Sequence, residues 1–100
     1  MQTTVTARHC DIPDDLRARA REVSDRLAKI AHRPLRMEIV FDADHGQQVV
    51  ELKMWLPRGH TYVARAEATE FRSALDRAAE RLRSQLAKDV THPARRDTAP

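Results

Sequence analysis

The stretch 35–68, LRMEIVFDADHGQQVVELKMWLPRGHTYVARAEA, decides how this chain folds. Three segments alternate along it, each with one apolar side. In 35–42, Met37, Ile39 and Phe41 share a face; in the segment that follows, Val50, Leu52, Met54 and Leu56 do so; in 61–68, Tyr62, Ala64, Ala66 and Ala68 do so. A period of two is the signature of half-buried strands. DADHGQQ supplies turn residues between the first two segments, and Pro57 and Gly59 in PRGH mark a hairpin turn before the third. The stretch therefore reads as an antiparallel meander.

Upstream, TTVTARH at 3–9 is rich in β-branched residues and predicts a strand. DIPDDLRARAREVSDRLAKIAHRP then changes period: Leu16, Ala20, Val23, Leu27 and Ile30 line one side of a helix. Pro13 marks the start of this first helix, Asp14 and Asp15 put negative charge in its first turn, and Pro34 forces its end. Downstream, Phe71, Leu75, Ala78, Leu82 and Leu86 form the stripe of a second helix, for which Thr69 is the expected N-cap. The order is β-α-β-β-β-α. The helical connection favours a parallel, right-handed crossover between the first two strands. The expected fold class is α+β: a four-stranded mixed sheet with two helices packed on one face, like a double-stranded-RNA-binding domain, and the other face open to water. One domain over 1–90 and a disordered tail over 91–100 are expected, since THPARRDTAP has no apolar period.

Of the 100 residues, 18 are Lys or Arg and 15 Asp or Glu, a net charge of +3 that permits a polyanionic partner without demanding one. The distribution says more than the total. The segment 35–57 is acidic, so the basic excess lies in the helices and tail. On the first helix Arg19, Arg26 and Arg33 recur at seven, with Lys29 close by; on the second, Arg77, Arg81 and Lys88 line one flank. Two basic stripes on neighbouring helices form a geometry that can track phosphates, although Glu22, Asp25, Glu70, Asp76 and Glu80 lie near enough to pair with them.

Other chemistries have weaker signals. His9, Cys10 and Asp11 are consecutive, but adjacent strand residues point to opposite faces, so thiol and imidazole are not brought together. A single cysteine rules out both an internal disulfide and the thiolate zinc patterns, and the scattered histidines offer no metal spacing; no cofactor or metal is expected. Neither a membrane-length apolar run nor a signal peptide is evident, so a cytoplasmic location without membrane or small-molecule partners is expected. Trp55 shares the polar side of its strand with Glu51 and Lys53. It suggests an alternative function, a protein-interaction module that uses the open sheet face for self-association or partner binding. Partial burial of Trp55 under a neighbouring side chain is the plainer account.

The second helix, EFRSALDRAAERLRSQLAK, resembles that of the short-form ribosome hibernation-promoting factor and ribosome-associated inhibitor A family, also described as the sigma-54 modulation protein family. Members carry DMYAAIDxxxDKLxRQLxKxK, of which Ala74, Asp76, Leu82, Gln85, Leu86 and Lys88 are retained here. VTARHCDIPDDLR, LAKI, RMEIVF and YVARAEA extend the likeness along nearly the whole chain. The resemblance implies a translation inhibitor, not an enzyme, acting in stress and stationary phase. It would occupy the decoding channel of the small ribosomal subunit, its basic helical surfaces on ribosomal RNA, with a second hibernation factor as a candidate partner. Carried over, Arg26, Arg81 and Lys88 match basic positions of the family and Arg17 a frequent one; Arg19, Lys29, Arg33, Arg77 and Arg83 are added from the helical wheel. Two departures bear on affinity: the usual lysine run after Lys88 is replaced by DVTHPARRDTAP, leaving Arg95 and Arg96, and the second strand ends FDAD.

Overall fold

The structure, a computed structural model, describes residues 1–91. Strand β1 (Gln2–Arg8) leads into helix α1 (Asp14–Ile30), followed by β2 (Arg36–Asp44), β3 (Gln47–Trp55), a one-turn 3-10 segment (Pro57–Gly59), β4 (Thr61–Ala68) and α2 (Phe71–Thr91). The sheet runs in the order β1-β2-β3-β4, with β1 parallel to β2 and the other pairs antiparallel, so the α+β reading holds. The expected tail lies outside the described residues except for Thr91, which α2 includes.

One face of the sheet carries the core. Met37, Ile39, Phe41, Val50, Leu52 and Met54 are fully buried, and Leu75, Ala78, Leu82 and Leu86 of α2 close over them together with Leu16, Ala20, Val23 and Leu27 of α1. At about 1.5–3 kcal/mol for each large apolar side chain taken from water, this layer is the main term holding helices to sheet. Phe41 and Phe71 meet edge to face, ring centroids 5.4 Å apart. Ser24, fully buried in α1 and not anticipated, bonds its hydroxyl to that of Thr3 at 2.8 Å, so each satisfies the other as α1 crosses β1.

Boundaries differ from expectation in three places. DADHGQQ is almost all strand: the turn is only His45 and Gly46, with φ of 50° and 78°, the left-handed pair of a two-residue hairpin. Helix α2 begins at Phe71, and the Glu70 carbonyl accepts the first helical bond from Ala74 N–H at 3.1 Å, so Glu70 and not Thr69 stands at its threshold. Helix α1 stops at Ile30. Ala31 is extended, and Arg33, kept out of helical geometry by Pro34, turns to a φ of 56°. Arg33 is thus not part of the α1 stripe.

Candidate nucleic-acid interface

The nine cationic positions expected to meet RNA do not form two matched stripes; the packing divides them. On α1, the flank turned to α2 carries Arg19, Val23, Arg26 and Ile30; with Asp76, Ala79, Glu80 and Arg83 of α2 they line a groove of about 350 Å³ between the helices. Arg19 spans it, one Nη donating to Asp76 Oδ1 at 2.8 Å, while its Nε is buried without a partner among the described residues. Arg19 is therefore a strut between helices. Arg83 reaches Glu80 at 3.4 Å in an exposed pair of little energetic weight. Arg26, exposed on the groove wall, pairs with no acid among the described residues.

Arg77 and Arg81 lie on the opposite flank of α2. An Nη of Arg77 donates to the Glu67 carbonyl at 3.1 Å, an Nη of Arg81 to the Arg65 carbonyl, and Gln85 Nε2 to the Val63 carbonyl at 3.1 Å. The match is metrical: four helical residues rise about 6 Å and two strand residues about 6.8 Å, so side chains at i, i+4 and i+8 meet alternate outward carbonyls of β4. Both arginines remain exposed, with further donors of the guanidinium facing solvent. Arg17 does the same at the other edge of the sheet, donating to the Val5 carbonyl at 3.4 Å from the far flank of α1. Lys29 and Lys88 are exposed in the last turns of their helices, where positive charge also offsets the helix dipole.

The sheet face away from the helices has its own electrostatic order. Thr3 bonded to α1 sets the parity, so the alternate residues point outward. Registers then give rows: Gln2, Arg36, Trp55 and Thr61; Thr4, Glu38, Lys53 and Val63; Thr6, Val40, Glu51 and Arg65; Arg8, Asp42, Val49 and Glu67. Val40 and Val49 are buried among these long side chains, so this face is less open than its polar composition implied. The first two rows hold Arg36 and Lys53 against Glu38. The rest, with Asp44, hold Arg8 and Arg65 against Glu51, Asp42, Glu67 and Asp44. Trp55 is half-buried under Arg36, whose guanidinium carbon lies 3.9 Å from the ring centroid, with the Lys53 ammonium at 6.0 Å. The plainer account of Trp55 is therefore the one the structure supports. Sequence spacing missed this stack because only the register across two strands brings Arg36 to Trp55.

At the acidic end, His9 Nδ1 meets Asp42 Oδ1 at 3.1 Å, and this bond is the main reason the Asp42 carboxyl lies below its ordinary value. Cys10 donates its thiol to the Phe41 carbonyl at 3.6 Å, and burial, then the Asp42 charge, pushes the thiol up from its ordinary pKa. That is opposite to what an activated nucleophile needs. No group of metal ligands occurs among the described residues, and no described helix is long and apolar enough to cross a membrane.

An α+β domain of this topology, with cationic helices over one sheet face, defines a class into which known proteins fall. A profile of the family described as sigma 54 modulation protein / S30EA ribosomal protein matches residues 3–91, and the chain belongs to that family, whose description ties it to the ribosome. Among solved structures, a ribosomal subunit interface protein from Coxiella burnetii superposes with a TM-score of 0.79 at 24% identity, covering 91% of this chain and 99% of that one. The Protein Y N-terminal domain of Thermus thermophilus superposes with a TM-score of 0.76 at 24% identity, covering 88% and 98%. At that identity the two share the fold. No curated protein matches the sequence.

Proposed function

We propose that this protein is a ribosome-binding translation inhibitor that occupies the decoding channel of the small subunit and meets ribosomal RNA through its helical surfaces. Family membership supports the ribosome as partner. The observation that carries the RNA contact is the set of exposed cations Arg26, Lys29 and Lys88, none of which is paired with an acid among the described residues. Arg77 and Arg81 add outward-facing donors held in place by β4. A cytoplasmic site of action, a role in stress or stationary phase, and a shared ribosome with a second hibernation factor belong to the same proposal.

Titration against purified small subunits at several salt concentrations tests it. With about six phosphate contacts the log-log salt slope is expected near −4, at roughly 0.7 per contact for weakly stacked RNA. Replacing Arg26, Lys29 and Lys88 with Ala should bring the slope to about −2 with helix content unchanged. Absent binding, or binding indifferent to salt, overturns the proposal. An unchanged slope in the triple variant removes these three residues from the interface.

A further inference from the structure

The end of the molecule where both helices finish gathers cations that no helix explains. The loop from Ala31 to Leu35 is fastened there by the Leu35 N–H to Trp55 carbonyl bond at 2.8 Å, and the turn after β3 is closed by Leu56 N–H to the His60 carbonyl at 2.8 Å. Arg33 in the loop and Arg58 in the turn are both exposed and both held at positive φ, 56° and 67°. Between them on the sheet lie Arg36 and Lys53 with Trp55. None of these four cations forms an ion pair among the described residues, and Glu38 is the one acid in the two adjoining rows. Unlike Lys29 and Lys88, they do not complement a helix terminus.

From this we infer that the tip is a platform for an unstacked nucleotide of single-stranded RNA. The base stacks on the outer face of the Arg36 guanidinium, whose carbon lies 3.9 Å from the centroid of the Trp55 ring beneath it, and Arg33, Lys53 and Arg58 take the flanking phosphates. An ordered planar cation on an indole offers a π surface of the kind on which splayed bases are recognised, and the surrounding cations give the tip an RNA-like complement. The exposed large apolar side chains nearby are Met1, Leu35 and Val63, and the four cations without an ion pair beside them favour a polyanion over an apolar protein surface. The inference deepens the function proposed above and rests on it for RNA as the polyanion.

Emission from the sole tryptophan reads the site directly. Added single-stranded oligouridylate should quench Trp55 in the full chain. Arg36→Ala should weaken oligonucleotide affinity roughly tenfold and lower the salt slope by about 0.7. Arg36→Lys should keep the slope and still lose most of the affinity, because an ammonium carries the charge without the plane. Circular dichroism confirms that each variant folds. Emission unmoved by RNA, or Arg36→Lys equal to the unaltered chain, overturns the platform. So does emission that shifts with protein concentration alone, which assigns the face to self-association. The two readings separate on small subunits: binding with a silent Trp55 overturns the platform alone, whereas quenching by oligonucleotide without subunit binding overturns the proposed function and leaves the platform standing.

Discussion

The two flanks of α2 both carry arginine and put it to different uses. Arg77 and Arg81 grip backbone carbonyls of β4, so their guanidinium planes are oriented by the fold before any ligand arrives. Arg83, across the helix axis, reaches Glu80 less than a turn away and lies on the groove shared with Arg26. A charge on a helical wheel has no role until the neighbouring element is known: a strand edge makes Arg81 a clasp, an acid across the groove makes Arg19 a strut, and Arg83 keeps a loosely held, exposed charge.

The line of buried residues between the flanks sets the scale for breaking this contrast. Leu82→Ala removes a fully buried side chain from the middle of α2 and should cost about 2–5 kcal/mol in urea unfolding, loosening both flanks together. Arg81→Ala should cost about 0.5–1.5 kcal/mol, because the Arg65 carbonyl at the β4 edge loses its charged donor. Arg83→Ala should leave stability within about 0.5 kcal/mol, as expected for an exposed pair, and show its effect in the salt slope of subunit binding. Equal losses from Arg81→Ala and Arg83→Ala would erase the distinction between clasp and available charge.

The smallest effect lies away from both flanks, at Asp42. Its carboxyl is lowered by the His9 bond, so the contribution is present above the unfolded carboxylate pKa near 3.9 and is lost as pH falls through the folded value. His9→Ala should return the Asp42 titration, followed by NMR, to the ordinary range. The stability difference between the two proteins should vanish at strongly acid pH. A titration unchanged by the substitution would rule out the imidazole as the cause.

Much of the fold was legible because its signals are periodic. Alternation over 35–68 carried the meander, and the stripes from Leu16 to Leu27 and from Leu75 to Leu86 carried the helices, although buried Ser24 and Ala74 lay outside them. The cationic flanks of the helices were legible as a candidate site, and the contact each side chain makes was not. Arg19 was expected on a phosphate stripe and serves as a strut to Asp76, because helix approach and not spacing decides that contact. Arg33 fell off α1 at Pro34. The Arg36–Trp55 stack depends on cross-strand register, which no single segment encodes.

The hairpin at His45 and Gly46 bears on how the chain can vary in length. Two left-handed residues fix the pairing of β2 with β3, and a slip of one would turn Glu51, Lys53 and Trp55 under the helices and Leu52 and Met54 out to water. Single-residue insertions are therefore barred from this turn. The segments 9–13, between β1 and α1, and 31–34, between α1 and the sheet-bonded Leu35, lie outside the strand ladders and are where added or deleted residues can be absorbed.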